Sequence, residues 1–136
     1  MTEHVNGHPM NDCTHCFPEV GVSDLDKALE HYTARMGFVM HWRAGDEIAV
    51  VGDGTVSIFL RSSESGGIGP SRTILNVKDA DSVYAAWKSA GVRIVEPIET
   101  QPWGMREFVA VDLDGNEFRV GHVDETEADY SEHTTE

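Results

Sequence analysis

Side chains that could bind a metal are concentrated at the start of the chain. Cys13, His15 and Cys16 lie within four residues, and His4 and His8 precede them. Thiolate and imidazole groups are the usual protein ligands of zinc and related cations. The spacing matches no zinc motif, however, and two cysteines so close together cannot staple a fold. The economical interpretation is a flexible leader over residues 1–15 whose histidines are incidental.

The rest of the chain lacks the motifs of the common catalytic sites. The sequence has no paired nucleophile and base, no glycine-rich phosphate loop and no serine elbow. Candidate functional residues are therefore those that bind a ligand through aromatic faces, hydrogen bonds and charge. The candidates are Trp42, Trp103, Phe38, Phe59, Arg72, Asn76, Glu117 and Arg119.

Length and charge restrict the classes of function. The chain has 136 residues, 40% of them hydrophobic, which is enough for one domain with an ordinary core. Its formal net charge is -14. The charge argues against nucleic acid, whose phosphates would be repelled. Residues 124–136 carry six acids and no Lys or Arg, as in a disordered tail. No apolar run reaches the length of a membrane span, and we expect a cytoplasmic protein without membrane partners.

A hairpin near the carboxyl end is the clearest local element. Asp114, Gly115 and Asn116 form a strong turn signal, since glycine adopts positive φ without steric cost. The flanking segments 106–111 and 117–120 alternate polar and apolar residues, as strands do when one face lies on a core. The loop before the hairpin carries Trp103.

The hairpin closes the second of two similar halves. Val22–Asp26 recurs as Val77–Asp81 at a strand-to-helix junction, and Asp53–Thr55 recurs as Asp114–Asn116 before a last strand. The order strand, helix, three strands therefore occurs twice. We predict one domain over residues 16–123, made of module one at 16–60, a joint at 61–70 and module two at 71–123. The predicted fold class is α+β, with tandem βαβββ modules forming a cupped, partly closed mixed β-sheet and helices outside.

Two such modules leave one sheet face uncovered by helices, and that face should line a shared cup for a ligand. Strand alternation predicts which side chains reach the cup. The predicted lining consists of Phe17, Glu19, Gly21, Val56, Ile58, Leu60, Arg72, Ile74, Asn76, Glu117 and Arg119.

The repeat, with VSDLDKALEHYTARMGF near the start and PWGMREFVAVDLDGNEFRV near the end, resembles the vicinal oxygen chelate superfamily. That superfamily includes glyoxalase I, extradiol dioxygenases and bleomycin resistance proteins. The segment from Gln101 to Phe108 looks most like the bleomycin resistance branch. The resemblance implies a homodimer, in which the flexible joint would permit exchange of halves between subunits.

Enzymes of this superfamily hold a divalent metal with four His and Glu ligands, one on each of four equivalent strands. Here the corresponding positions fall at Phe17, at or beside Ile58, at Arg72 and at Arg119, none of which is a metal ligand. We therefore predict no metal and no other cofactor. The alternative is a metal set of His15, Glu19 and Glu117 in a lyase or dioxygenase.

Without a metal, the cup becomes a binding site. The bleomycin resistance proteins are small, acidic homodimers that sequester a cationic glycopeptide carrying flat heteroaromatic rings, without altering it. Aromatic side chains and net negative charge fit that plan. Arg72 and Arg119 do not suit a cationic guest, so they either pair with Glu19 and Glu117 or bind an anionic or carbonyl-bearing molecule. The predicted function is sequestration of such an antibiotic, with an unrelated metabolite as a further alternative.

Overall fold

The computed structural model describes residues 7, 9–53, 55–62 and 69–124. It confirms the α+β class and the tandem order of strand, helix and three strands. The elements of the first module are β1 (Glu19–Val22), α1 (Leu25–Glu30), a π-helical turn (His31–Arg35), β2 (Val39–Ala44), β3 (Ile48–Gly52) and β4 (Ser57–Ser62). Those of the second are β5 (Arg72–Asn76), α2 (Ala80–Ser89), β6 (Arg93–Thr100), β7 (Met105–Val111) and β8 (Glu117–Val123).

Each module forms its own four-stranded mixed sheet. The strand orders are β1-β4-β3-β2 and β5-β8-β7-β6, so the first and last strands of each module pair in parallel and the others in antiparallel fashion. No strand pairing joins the two sheets within the described residues. β1 and β5 are consequently free edges that lie next to the other module.

Aspartates begin both helices. The Asp24 side chain accepts a hydrogen bond from the Lys27 amide at 3.0 Å, and Asp79 accepts one from the Ser82 amide at 3.2 Å. These bonds satisfy amides that a helix leaves without a partner in its first turn. Ser23 is also a residue type that caps helices, but the structure places the first cap one residue later, at Asp24.

One hydrophobic core serves both modules. Tyr32, in the π-helical turn that follows α1, lies edge-on to Phe118 of β8 with ring centroids 5.9 Å apart. The indole nitrogen of Trp87 on α2 donates to the carbonyl of Met36 at 2.8 Å. Because the helix-side faces of both sheets join this core, the opposite faces both point away from it.

The turn between β7 and β8 attaches the second module to the first. The fully buried Asn116 donates its side-chain amide to the Gly21 carbonyl and to Asp112, both at 2.9 Å. Asp112 in turn accepts a hydrogen bond from the Tyr32 hydroxyl at 2.7 Å. Burial and this carboxylate raise the pKa of Tyr32 well above its usual value.

Several predicted boundaries need correction. Residues 16–18 precede β1 instead of belonging to it, and β4 continues through Ser62, so the first two residues of the predicted joint lie in a strand. The remainder of the joint is described only at residues 69 and 70. Of the predicted tail, residue 124 alone lies within the described part of the chain, and residues 1–6 and 8 of the predicted leader lie outside it.

The predicted cup-lining role of Ile58 and Leu60 is wrong, because both side chains are fully buried on the helix side of their sheet. The cause is a difference of one residue between the two turns. The Asp53 amide bonds to the Val56 carbonyl, whereas the Asp112 amide bonds to the Asn116 carbonyl, so the second turn is one residue longer. Since side chains alternate along a strand, counting from the matching Asp-Gly pairs assigns β4 to the wrong face.

No helix among the described residues is long and apolar enough to cross a membrane.

Candidate functional site

The concave face of the second sheet contains a cavity of about 350 Å³. Its floor comes from the outward-facing residues of β5, β7 and β8, and one side chain from the loop before β7 completes it. The lining residues are Ile74, Asn76, Trp103, Met105, Glu107, Arg119 and Gly121. The cavity therefore combines apolar side chains, an aromatic face and a single ion pair.

Trp103 stands on a tight turn that fixes its position. The Gln101 amide donates to the Met105 carbonyl at 2.8 Å, and the Gly104 amide donates to the Gln101 carbonyl at 2.9 Å. Gly104 has φ 90°, which other residues rarely adopt. The indole remains 53% exposed at the rim of the cavity, so one aromatic face is available to a ligand.

The ion pair on the cavity floor joins neighbouring strands. Arg119 donates from Nη1 to Glu107 Oε2 at 2.9 Å, and the Glu107 side chain is almost wholly buried while that of Arg119 is partly exposed. The Glu107 side chain fits at this depth because its partner on β8 is Gly121, which has no side chain. A Cβ atom on Gly121 would come within 2.8 Å of the Glu107 Cβ. The exposed part of the Arg119 guanidinium can donate further hydrogen bonds.

A second ion pair lies on the same face, beyond the cavity. Arg72 Nε is 3.2 Å from Glu117 Oε1, and the Arg72 side chain is 83% exposed. The predicted residues Arg72, Asn76, Glu117 and Arg119 thus share one concave face, as their strand alternation indicated. Of the two predicted carboxylate partners, Glu117 binds Arg72, whereas Glu19 pairs with Arg61 and Arg119 binds Glu107.

The equivalent face of the first sheet carries Glu19, Phe59 and Trp42. Glu19 of β1 is paired with Phe59 of β4, and Phe59 is paired with Val50 of β3. Val50 is also paired with Trp42 of β2, so these side chains share one face of the sheet. Arg61 forms an ion pair with Glu19 and lies over the Phe59 ring, 5.6 Å from its centroid. This face is a second aromatic and charged surface, and Trp42 is half exposed on it.

A larger cavity of about 460 Å³ lies between the modules at the free edge of β5. The predicted binding residue Phe38 contributes to its wall, but the ring is buried and lies 6.1 Å from the Tyr32 centroid. Phe38 is therefore chiefly a core residue. Ile74 and Asn76 line both cavities, so one cleft passes around the edge of β5.

The larger cavity arises from an imperfect repeat. Val56 and Asn76 correspond to Asn116 and Gly21, which form the hydrogen bond between β1 and the second module. The Val56 side chain has no amide group to make the equivalent hydrogen bond, so β5 and the first module stay apart here. At the lip, the pKa of Asp53 is lowered by hydrogen bonds from the Thr55 and Val56 amides, which stabilise its ionised form.

The residues do not fit the metal site of the related enzymes. The four corresponding positions hold Phe17, Phe59, Arg72 and Arg119, none of which ligates a divalent cation. No three His, Cys, Asp or Glu side chains converge within residues 9–53, 55–62 and 69–124.

The alternative metal set is not assembled in the structure. His15 is exposed, with Nδ1 3.1 Å from Thr14 Oγ1. Glu19 and Glu117 lie in different sheets, and each is paired with an arginine.

Glu107, Met105, Gly121 and Arg61 are site residues that sequence reasoning did not identify. Glu107, Met105 and Gly121 could have been found from the hairpin, because a turn at residues 112–116 fixes which residues of β7 oppose those of β8. Arg61 was missed because it was assigned to the joint.

Comparison with solved structures finds the same fold in proteins of different activity. TnmS3, an antibiotic binding protein from Streptomyces sp. CB03234, has a TM-score of 0.70 and 24% identity, over 82% of this chain and 98% of that one. The bleomycin-binding protein from Streptomyces verticillus, in complex with copper(II)-bleomycin, has a TM-score of 0.67 and 18% identity, over 80% and 95%. A lactoylglutathione lyase from Agrobacterium tumefaciens has a TM-score of 0.69 and 18% identity, over 80% and 92%.

At these identities the structural matches show the fold alone. Comparison with curated protein sequences finds no match. A family model, in contrast, matches residues 12–120, which cover the first module and all of the second except its last three residues. The chain therefore belongs to the Glyoxalase/Bleomycin resistance protein/Dioxygenase superfamily.

Proposed function

We propose that this protein binds an antibiotic with flat aromatic rings and sequesters it without altering it. A bleomycin-type glycopeptide is the first ligand to test. The observation that carries the proposal is the cavity beneath Trp103, which offers an exposed indole and apolar walls around a single ion pair. Two relatives of the same fold are an antibiotic binding protein and a bleomycin-binding protein, which supports this class of ligand.

The charges of the two concave faces are compatible with a cationic guest. Three arginines are each paired with a carboxylate, which reduces their repulsion of a positive ligand. Glu96 and Glu99 are exposed on β6 and pair with Val109 and Glu107 of β7, so they lie on the concave face as well. The local charge of the second sheet is therefore not dominated by its arginines.

We further propose that the protein acts as a homodimer. The concave faces of its two sheets both point away from the common core, so one chain does not close a cup around a ligand by itself. A second copy can place its first sheet, with Phe59 and Trp42, opposite the second sheet of the first copy. Two equivalent clefts would result from such a two-fold arrangement.

Isothermal titration calorimetry of chelator-treated protein with metal-free bleomycin tests the proposal. We expect one drug bound per chain, with an affinity that falls as salt screens the acidic cleft. The Trp103→Ala variant should bind about tenfold or more weakly, which corresponds to about 1.4 kcal/mol of lost stacking. The Leu113→Ala variant is the control, because Leu113 is similarly exposed and lines neither cavity.

Equal affinities of wild type and Trp103→Ala would contradict binding in this cavity. The absence of any heat with bleomycin would contradict the choice of drug. A divalent metal retained at one per chain through purification would contradict the proposal of a metal-free binder and favour a lyase or dioxygenase.

A further inference from the structure

The segment just before β1 carries two exposed thiols at the spacing C-x-x-C. Cys13 and Cys16 are both free and exposed, and Cys13 Sγ donates a hydrogen bond to the His15 carbonyl at 3.3 Å. This spacing is that of thiol pairs that undergo reversible disulfide exchange. Neither cysteine lines the cavities described above, so the ligand-binding role does not account for them.

A disulfide between Cys13 and Cys16 would restrict the conformation of the segment that joins them. Residues 13–18 contain no helix, strand or turn. Three residue steps in an extended chain span about 10 Å, whereas a disulfide needs its Cα atoms about 4.4–6.8 Å apart. Joining Cys13 to Cys16 therefore requires a bent segment and excludes an extended one.

The two ends of the segment determine where that movement occurs. At its start the Cys13 amide donates to the Met10 carbonyl at 3.2 Å, which closes a 3₁₀ turn over Pro9–Asp12. At its end the Phe59 amide donates to the Pro18 carbonyl at 2.9 Å, which attaches the chain to β4. Pro18 is thus held on the sheet, while the residues between Cys13 and Phe17 can bend without disrupting strand pairing.

We propose that Cys13 and Cys16 form a reversible intrachain disulfide by exchange with a low-molecular-weight disulfide such as oxidised glutathione. One cysteine thiolate attacks a sulfur of the small disulfide and releases one thiolate, leaving a mixed disulfide. The second cysteine then attacks the protein sulfur and releases the other thiolate. The protein dithiol is oxidised by two electrons, and the small disulfide is reduced to two thiols.

Oxidation should alter the concave face of the first sheet. Phe17 lies two residues before Glu19, the first residue of β1, and its half-exposed ring lies edge-on to His15 at 5.9 Å between centroids. Bending of residues 13–16 moves His15, and with it the ring contact that holds Phe17. The redox state of the cysteines thereby sets the position of an aromatic side chain on a ligand-binding surface.

The full-length protein is equilibrated with glutathione buffers of increasing oxidised fraction, quenched with an alkylating reagent and analysed by intact mass spectrometry. We expect a transition from two alkylated thiols to none, with a mass about 2 Da below the reduced chain. The Cys13→Ser and Cys16→Ser variants should each stop at one glutathione adduct. Both positions are exposed and outside the core, so the variants should melt at the wild-type temperature.

Three outcomes would overturn the proposal: thiols that stay reduced at every ratio, two glutathione adducts on the wild type, or a disulfide between two chains on a non-reducing gel. Amide chemical shifts in two-dimensional NMR spectra test the coupling. We expect changes at His15 and Phe17 on oxidation and none at Phe118 in the core. Unchanged shifts at Phe17 would show that the disulfide does not act on the concave face.

Discussion

Replacement of Asn116 by alanine should loosen the attachment between the two modules. The amide is fully buried and its nitrogen donates to the Gly21 carbonyl and to Asp112, while its oxygen accepts from the Ser71 amide at 2.9 Å. Alanine removes these three bonds and a fourth from the Ser71 hydroxyl, so two acceptors and two donors lose this partner. The Asn116 side chain thus joins the end of β1 to the start and the turn of the second module.

The magnitude follows from the bonds lost. Each neutral hydrogen bond contributes about 0.5–1.5 kcal/mol and the bond to a carboxylate about 1.5–3 kcal/mol, with a further penalty where a buried partner stays unsatisfied. We expect the Asn116→Ala variant to lose about 3–5 kcal/mol of unfolding free energy. With a typical urea dependence of about 2 kcal/mol per molar, the unfolding midpoint falls by about 2 M.

Urea unfolding followed by circular dichroism measures this change. The Ser71→Ala variant is the control, since it removes only the partly exposed hydroxyl that donates to Asn116 at 3.1 Å and leaves the Ser71 amide in place. Its loss should stay below about 1 kcal/mol. Equal midpoints for the two variants would refute the claim that the buried amide joins the modules.

Three further predictions concern single sites. Burial lowers the pKa of His31, whose Nε2 is buried and has no hydrogen-bond partner among the residues that the structure describes. The unfolding free energy should therefore decrease as pH falls below about 6.5, and His31→Gln should flatten that decrease in urea titrations at several pH values. Gly121→Ala should cost about 1–3 kcal/mol and weaken ligand binding, because the new methyl group meets Glu107; unchanged melting would contradict the close approach. Asp81→Asn removes a bidentate ion pair with Arg106, which also lowers the pKa of Asp81. Since the pair is partly exposed, the loss of unfolding free energy measured by thermal unfolding should stay below about 1 kcal/mol and shrink further in high salt.

The repeat and the concave face of the second sheet could be predicted because they depend on local patterns. The turn at residues 112–116 and the alternation along β7 and β8 are both set within a short stretch of chain. The same reasoning placed Arg72, Asn76, Glu117 and Arg119 on one face, and the structure has them there. It failed for β4, where a turn shorter by one residue reversed the facing of Ile58 and Leu60.

Asn116 illustrates a different kind of limit. In sequence it reads as a turn residue, yet in the structure it is a buried connector whose partners lie 95 and 45 residues away. Phe38 likewise is of a residue type that often binds ligands, but its ring packs against Tyr32. Nothing local distinguishes an exposed aromatic side chain from a buried one, because burial depends on segments that arrive from elsewhere in the chain.

The sequence by itself determined the tandem modules, the hairpin and the lack of metal ligands at the four positions that the related enzymes use. These features follow from residue type, spacing and alternation, which act over a few residues. Only the tertiary structure decided that Glu107 neutralises Arg119, that the unpaired edge of β5 borders a cleft between the modules, and that both concave faces turn away from one core. Those features depend on contacts between distant segments, and there a difference of one residue in a turn changes which side chains meet.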